Sequence, residues 1–270
     1  MSDYKTFEVE QIDKVAHVRL NRPDKANAMS EDVWREIHAI FDWADTEPSV
    51  RAVVFSANGK HFSAGIDLAM MAGLGASLGK DVGRNARLLR RKIMELQDAL
   101  SAIERCSKPV LAAIQGCCYG GGIDLVAACD MRYCTEDARF CIKEVDIGMA
   151  ADVGTLQRLP HIISDGLMRE LAYTGRVMDS DEAGRAGLVN AVYPDHGSLV
   201  DAVLEKAQLI AAKSPIAVQG TKEMLIYTRD HSVEEGLNYV ASWNAAMLQS
   251  DDLKQAIMAQ MSKQTPVFDD

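Results

Sequence analysis

The segment Val110-Leu111-Ala112-Ala113-Ile114-Gln115-Gly116-Cys117-Cys118-Tyr119-Gly120-Gly121-Gly122-Ile123-Asp124-Leu125 decides how this chain is built. Val110 to Ile114, entered through Lys108-Pro109, is a short apolar run that predicts a buried strand; a glycine turn and the start of a helix follow. Strand, glycine turn and helix is an architecture for binding. Glycines let a ligand approach the main chain, and a helix N-terminus favours negative charge there. The Gly121 amide falls at that N-terminus.

Outward from this segment a β-then-α rhythm recurs. Thr6 to Gln11 and Val15 to Leu20 read as strands around a turn at Asp13-Lys14. Ser30-Glu31-Asp32 reads as the N-cap of a helix carrying Val33, Ile37, Ile40 and Phe41 on one face, and Ala52 to Phe55 as a buried strand. His61 to Leu68 is a small-residue loop; the Gly/Met/Ala-rich stretch after it, to about Gly83, reads as mobile. A long helix is predicted from about Asn85 to Cys106. Beyond the central segment come strands near Met131 to Cys134 and Phe140 to Ile142, then helical segments after Asp152, in a layered α/β core ending near Val192. Three amphipathic helices, Leu199 to Ala212, Ile216 to Thr228 and Val233 to Gln249, carry the remainder. We divide the chain into an α/β core, 1–196, and a docked C-terminal helical subdomain, 197–270.

The 270 residues are 48% hydrophobic, enough for a sizeable core, and 29 Lys+Arg against 39 Asp+Glu give a net charge of −10. A surface this acidic repels phosphate backbones, so nucleic acid is not an expected partner. The compact basic cluster Arg87, Arg90, Arg91, Lys92 reads as a solvated helix face. No charge-free stretch approaches the roughly 18 to 20 apolar residues of a membrane span. The termini carry neither a leader pattern nor a peroxisomal tripeptide, and the expected location is cytoplasmic. Cys106, Cys117, Cys118, Cys129, Cys134 and Cys141 lack metal or redox spacing and read as reduced core residues. Two tempting motifs fail. Gly73 to Lys80 has the wrong glycine spacing for a nucleotide loop, with Asp81 where a Ser or Thr belongs, and Ser63 follows His61 rather than the glycine of a nucleophile elbow.

What carries chemistry is backbone and carboxylate. Ala64-Gly65-Ile66-Asp67 and Gly120-Gly121-Gly122 offer N–H groups that could jointly hold an oxyanion. Asp124, Glu144 and Asp152 are embedded in apolar sequence, which raises carboxyl pKa values toward the range useful for proton transfer. Each has a plainer alternative. Asp124 could complement a helix dipole, Asp152 could cap the helix through Leu156, and Glu144 could pair with Lys143 or an arginine.

The loop Phe62-Ser63-Ala64-Gly65-Ile66-Asp67-Leu68, the Gly120-Gly121-Gly122 turn and Gly154-Thr155-Leu156-Gln157-Arg158-Leu159-Pro160 together resemble the crotonase (enoyl-CoA hydratase/isomerase) superfamily over nearly the whole chain. The run from Gly120 through Lys143-Glu144-Val145-Asp146-Ile147-Gly148 to Pro160, with Tyr227 to Val233 and Leu237 to Asn244, is similar to its Δ(3,5),Δ(2,4)-dienoyl-CoA isomerase branch. The resemblance implies a spiral of ββα units with a C-terminal helical trimerisation subdomain, and a homotrimer or a hexamer made of two trimers. It implies an isomerase taking 3,5-dienoyl-CoA to 2,4-dienoyl-CoA in unsaturated fatty acid β-oxidation, with no cofactor, since CoA is part of the substrate. Asp152 would be the base at C2 and Glu144 the acid at C6, with Asp124 beside it and the last two roles exchangeable. Ile66 and Gly121 would form the oxyanion hole, and Ala64, Gly65, Ile66, Asp67 and Leu68 would contact the substrate. Enoyl-CoA hydratases carry glutamate at the Asp124 position, yet hydration, single-bond enoyl-CoA isomerisation and a non-catalytic CoA- or RNA-binding homologue stand as alternatives.

Overall fold

A computed structural model describes residues 4–270. The order along the first half is β1 (Phe7–Ile12), β2 (Val15–Leu20), α1 (Glu31–Thr46), β3 (Ala52–Ala57), α2 (Leu68–Ala76), α3 (Val82–Arg105), β4 (Val110–Ile114), β5 (Cys117–Tyr119) and α4 (Gly121–Ala127). There follow β6 (Met131–Thr135), β7 (Arg139–Cys141), α5 (Thr155–Arg158), α6 (Asp165–Thr174), β8 (Met178–Asp179), α7 (Ser180–Ala186) and β9 (Ala191–Tyr193). The chain closes with α8 (His196–Ala211), α9 (Pro215–Arg229), α10 (Val233–Met247) and α11 (Asp251–Ser262).

The large sheet has the order β1-β2-β3-β4-β6-β9. The β1–β2 hairpin is antiparallel and every other pairing in it is parallel. A smaller sheet, β5-β7-β8, lies alongside and is extended by the parallel bridges Ser63↔Cys118 and Met29↔Ile66. Strands β2, β3, β4 and β6 therefore each run on into a short extended segment of a second layer, at Met29, Ser63 to Ile66, β5 and β7, before the chain turns into a helix. This is the ββα spiral that the resemblance implies.

Apolar residues cover both faces of the central strands, as parallel strands between helical layers require. Along β3, Val53 and Phe55 enter one core with Phe41 and Phe62, while Ala52 and Val54 enter a second with Leu199, Val203 and Ala207 of α8. The period of two in a strand makes this division unavoidable. Thus α8 seals one face of the sheet, and the division at 196/197 falls at its start. From there α9 is pinned by the buried Lys222 ammonium, which donates to Asp130 at 2.8 Å and to the Lys108 carbonyl at 3.0 Å. The tail returns to the core: Arg51 donates to the Phe268 carbonyl and pairs with Asp270.

Several expectations need correction. The stretch after Leu68, read without an element of its own, is helical as far as Ala76. It forms α2, because Asp67 caps the Ala69 amide at 3.0 Å and Leu68 to Ala72 are good helix formers apart from the glycines that follow. Helix α3 starts at Val82 rather than Asn85, since Asp81 accepts from the Arg84 amide. Strand β5 was read only as part of a glycine turn, and α11 was not seen. Ser30 occupies the N-cap of α1 without a side-chain cap bond. Five cysteines are buried and Cys117 is half-buried; burial raises the Cys106 thiol to about 11 and Cys129 and Cys134 to about 12, so these three are inert neutral thiols at neutral pH. Arg87, Arg90 and Arg91 are exposed, as read, while Lys92 pairs with Glu31. Gly73 and Gly75 lie inside α2, which removes any nucleotide loop there.

Candidate active site

Two loops meet where the small sheet touches α4. A Cβ built on Gly65 would lie 2.9 Å from the Tyr119 carbonyl and 3.5 Å from the Gly121 amide nitrogen; one built on Gly121 would lie 3.8 Å from the Ile66 nitrogen. Gly65 has φ +91°, a left-handed conformation that aims the next peptide toward Gly121. Neighbouring amides are occupied: Ala64 donates to Ala26, Gly65 to the Ser63 hydroxyl, Asp67 to Met29 and Gly120 to Cys141. Among the described residues the Ile66 and Gly121 amides have no backbone acceptor. A pair of adjacent free donors, one at the start of α4, is suited to an oxyanion.

The carboxylates gather on the other side. Asp124, in the first turn of α4, is wholly buried; burial raises its carboxyl to about 6, and the neighbouring Asp152 adds to that. Glu144 opens a 3-10 turn over Glu144–Ile147, and a Cβ built on Gly120 would come within 3.2 Å of its Oε1. Burial, then the negative charge of Asp124, raises Glu144 to about 7. Asp152 is half-buried between Ala151 and Val153, both of which point into the core, and burial raises its pKa too. All three predicted acids thus lie within one electrostatic neighbourhood. Of the six buried side-chain polar atoms without a partner among the described residues, three belong to this wall: Asp124 Oδ2, Glu144 Oε2 and Thr155 Oγ1. Buried polar atoms are nearly always paired, and unpaired ones concentrate where a ligand completes them.

A family model for enoyl-CoA hydratase/isomerase matches residues 10–270. The chain belongs to the enoyl-CoA hydratase/isomerase family. Among its relatives, the human mitochondrial Delta(3,5)-Delta(2,4)-dienoyl-CoA isomerase is 52% identical over 259 residues, 95% of this chain and 79% of that protein. The peroxisomal enzyme of the same name from Arabidopsis thaliana is 48% identical over 273 residues, 99% of this chain and 98% of that one. Among solved structures, an enoyl-CoA hydratase from Bacillus anthracis superposes with a TM-score of 0.90 at 29% identity, covering 98% of this chain and 99% of the other.

Within this family member, several of the plainer alternatives resolve differently from the sequence reading. It is Asp124, not Asp152, that meets the start of α5: the Thr155 N–H donates to Asp124 Oδ1 at 2.6 Å. Lys143 pairs with Asp146 and leaves Glu144 alone. Asp67, read as a substrate contact, has its carboxylate engaged by Arg22 at 3.1 Å and by the Ala69 amide, while its N–H donates to Met29 and its carbonyl accepts from the Met70 and Met71 amides. Ala64 and Leu68 are exposed, Gly65 is buried, and Ile66 is half-buried at the mouth.

Sequence reasoning missed the residues that hold these groups in place. Asn27, fully buried at φ +54°, donates to the carbonyls of Asn58 and His61 and accepts from the Arg22 amide. Ser63, dismissed as a nucleophile, donates to the Asn27 carbonyl and accepts from the Gly65 amide, one residue before the free donor. Across the site, Gln97 of α3 donates to the Asp152 carbonyl at 2.7 Å. Arg158 of α5 reaches Glu104 and Ser101 of α3 at 3.1 Å each, and Arg229 of α9 joins the same glutamate. The signal was present in part: Asn and Gly are the residues that tolerate a left-handed backbone, and an Asn followed by a small-residue loop is a candidate brace. A cavity of about 830 Å³ between α8, α9 and the start of β6 includes Arg158 and Arg229 in its lining but none of the three acids.

Proposed function

We propose that this protein isomerises 3,5-dienoyl-CoA to 2,4-dienoyl-CoA by moving a proton from C2 to C6 through a dienolate. The observation that carries the reading is the placement of three buried or half-buried carboxyls, raised in pKa, opposite two free backbone amides; the similarity at about half identity to dienoyl-CoA isomerases over nearly the full chain supports it.

In this reading Asp152 takes the C2 proton. The charge that develops on the thioester oxygen is held by the Ile66 and Gly121 N–H groups, each typically worth about 10² to 10³ in rate. Delocalisation through the two double bonds carries the charge to C6, where the Asp124–Glu144 pair returns one proton. Two carboxyls close together in a desolvated site favour holding one proton between them, so an acid is available at neutral pH. Both bonds move by proton transfer, so we propose no cofactor beyond the CoA of the substrate. Ala64 to Leu68 and Gly121 would line the thioester end.

We further propose a homotrimer or a dimer of trimers. Leu225, Leu237, Ile257 and Met261 on α9, α10 and α11 are each at least half exposed, an apolar face that assembly would cover. A cytoplasmic location belongs to the same proposal, although the names of the relatives place those proteins in mitochondria and peroxisomes. No helix among the described residues is long and apolar enough to cross a membrane.

The test is ultraviolet absorbance with a 3,5-dienoyl-CoA, since only the product has the double bonds conjugated to the thioester. A rise is expected, and Asp152→Asn should reduce its rate by about 10² to 10⁴, the usual worth of a positioned base. Absence of a rise together with hydration of a 2-enoyl-CoA would move the protein to the hydratases and leave Asp152 structural.

A further inference from the structure

The two oxyanion donors are held in place by different means. The Gly121 N–H shares its peptide with the Gly120 carbonyl, which accepts the Ile123 N–H at 2.7 Å at the start of α4, so the helix aims it. The Ile66 N–H shares its peptide with the Gly65 carbonyl, which accepts the Met29 N–H at 2.8 Å. That N–H shares its own peptide with the Ala28 carbonyl, and Arg22 Nη1 donates to the Ala28 oxygen. Both peptides are trans, and in a trans peptide the C=O and the N–H point in opposite directions. The guanidinium, the 28–29 peptide, the 65–66 peptide and the free Ile66 N–H therefore stand in one head-to-tail line. Resting on the isomerase reading above, we propose that Arg22 is a positioning residue which, through two peptide groups, aims and polarises the Ile66 N–H at the thioester oxygen.

An amide whose carbonyl accepts a hydrogen bond has a more polar N–H, so each link in such a line strengthens the next. A guanidinium at the head makes the first link charge-assisted. Arg22 is itself held for this. Asp67 Oδ2 accepts from Nη1 and Nη2 at 3.1 Å each, and the Arg22 backbone exchanges bonds with Asn27, its N–H donating to Oδ1 at 2.8 Å and its carbonyl accepting the Asn27 N–H at 2.9 Å. The Asp67 charge offsets that of the guanidinium at a distance, so direction and polarisation reach Ile66 by contact and not as a bare field. The Asp67 N–H donates to the Met29 carbonyl at 3.1 Å and completes the parallel bridge Met29↔Ile66. In that bridge the Ile66 N–H points away from the 22–29 segment, leaving it free for the side on which Gly121 lies.

The experiment compares the full-length protein with Arg22→Met, which keeps an unbranched side chain and removes every donor. Labelling with carbonyl-¹³C glycine and ¹⁵N isoleucine selects Gly–Ile peptides in a magnetic resonance spectrum, and the chain holds two, Gly65–Ile66 and Gly122–Ile123. With no ligand present, the Ile66 amide proton should move upfield in Arg22→Met while that of Ile123, inside α4, stays where it is. With a 2,4-dienoyl-CoA bound and its thioester carbonyl ¹³C-labelled, the carbonyl infrared band, which the oxyanion donors lower, should return part of the way to its position in free solution. In turnover kcat should fall about ten-fold with KM within about two-fold, less than the about 10² to 10³ of a donor lost outright. An Ile66 amide that does not move, or moves together with Ile123, overturns the proposal, and so does a carbonyl band at the same position in both proteins. If Arg22→Met does not fold, Arg22→Gln, which keeps a donor for Asp67 but carries no charge, is read the same way. The amide shift needs neither substrate nor turnover. A protein that fails to isomerise dienoyl-CoA would sink the reaction while the Ile66 amide still decides the role of Arg22.

Discussion

The two walls of the site are built on opposite principles. On the oxyanion wall the loop is braced by side chains: Asn27, Ser63 and Asp67 spend theirs on the loop backbone. On the acid wall, carboxyls are buried with raised proton affinity, and half of the unpartnered buried polar atoms among the described residues collect there. The first wall is held by hydrogen bonds; the second holds local destabilisation. The difference follows from the task. A donor must not move as charge develops, so satisfied neighbours help it. A proton carrier must be poised between two states, and full satisfaction of its charged form would lower its pKa until it held no proton to give at neutral pH.

Three measurements would break or sharpen this contrast. The largest effect is expected on the oxyanion wall. Gly65→Ala places a Cβ 2.9 Å from the Tyr119 carbonyl on a backbone of φ +91°, so the peptide carrying the Ile66 N–H must rotate. The loss should be about 10² to 10³ in kcat, with the circular dichroism spectrum unchanged. A loss below ten-fold would mean that the Ile66 amide is not an oxyanion donor.

The next effect should have the opposite sign. The folded protein raises Glu144 from the ordinary value of 4.5 to about 7, so it binds this proton more tightly than the unfolded chain does. The contribution is fully present below about 4.5 and is lost as pH rises through about 7. Glu144→Gln removes the charge that burial penalises. At pH 8 it should stabilise the fold by about 2 kcal/mol, seen as a Tm some 4 to 8 °C above wild type, and near pH 4 the difference should vanish. A variant destabilised equally at both pH values would show that Glu144 braces the fold instead of straining it.

The smallest effect is expected behind the acid wall. Burial opposes ionisation of Glu104, but the Arg229 and Arg158 guanidinium groups hold its pKa below the ordinary value. Its stabilisation is therefore present at neutral pH and lost as pH falls through the carboxylate range. Glu104→Gln should cost about 1 kcal/mol at pH 7, less than a fully buried pair because both partners touch solvent, and kcat should fall only a few-fold as α5 loosens. An unchanged pH profile with the same small loss would confine the network to stability.

Much of this was legible in the chain. The run Val110 to Ile114 is apolar enough to have only one reading, and that strand is bounded by Lys108-Pro109 and Gly116. Asp124, Glu144 and Asp152 announced themselves as carboxylates in apolar sequence, and the glycines marked where backbone would face a ligand. The helix over Leu68–Ala76 was not legible because its glycines and alanines serve a helix as readily as a loop; the deciding feature is the Asp67 cap, and that carboxylate is held from Arg22, 45 residues earlier. Burial of α8 against Val15, Ala52 and Leu111 was equally out of reach, since an amphipathic helix records that it has a partner but not which one.

By itself, then, the sequence determined the layered ββα rhythm, the family pattern and the three acids, because apolar period, turn chemistry and residue type are local properties. Only the tertiary structure decided which wall is braced and which is strained: that Thr155 meets Asp124, that Glu144 is left without a cation, and that Asn27 and Ser63 free the Ile66 amide. Those depend on which groups fill the space around each carboxyl and amide. Desolvation and hydrogen-bond partnership are set by neighbours distant in the chain, and no local pattern encodes them.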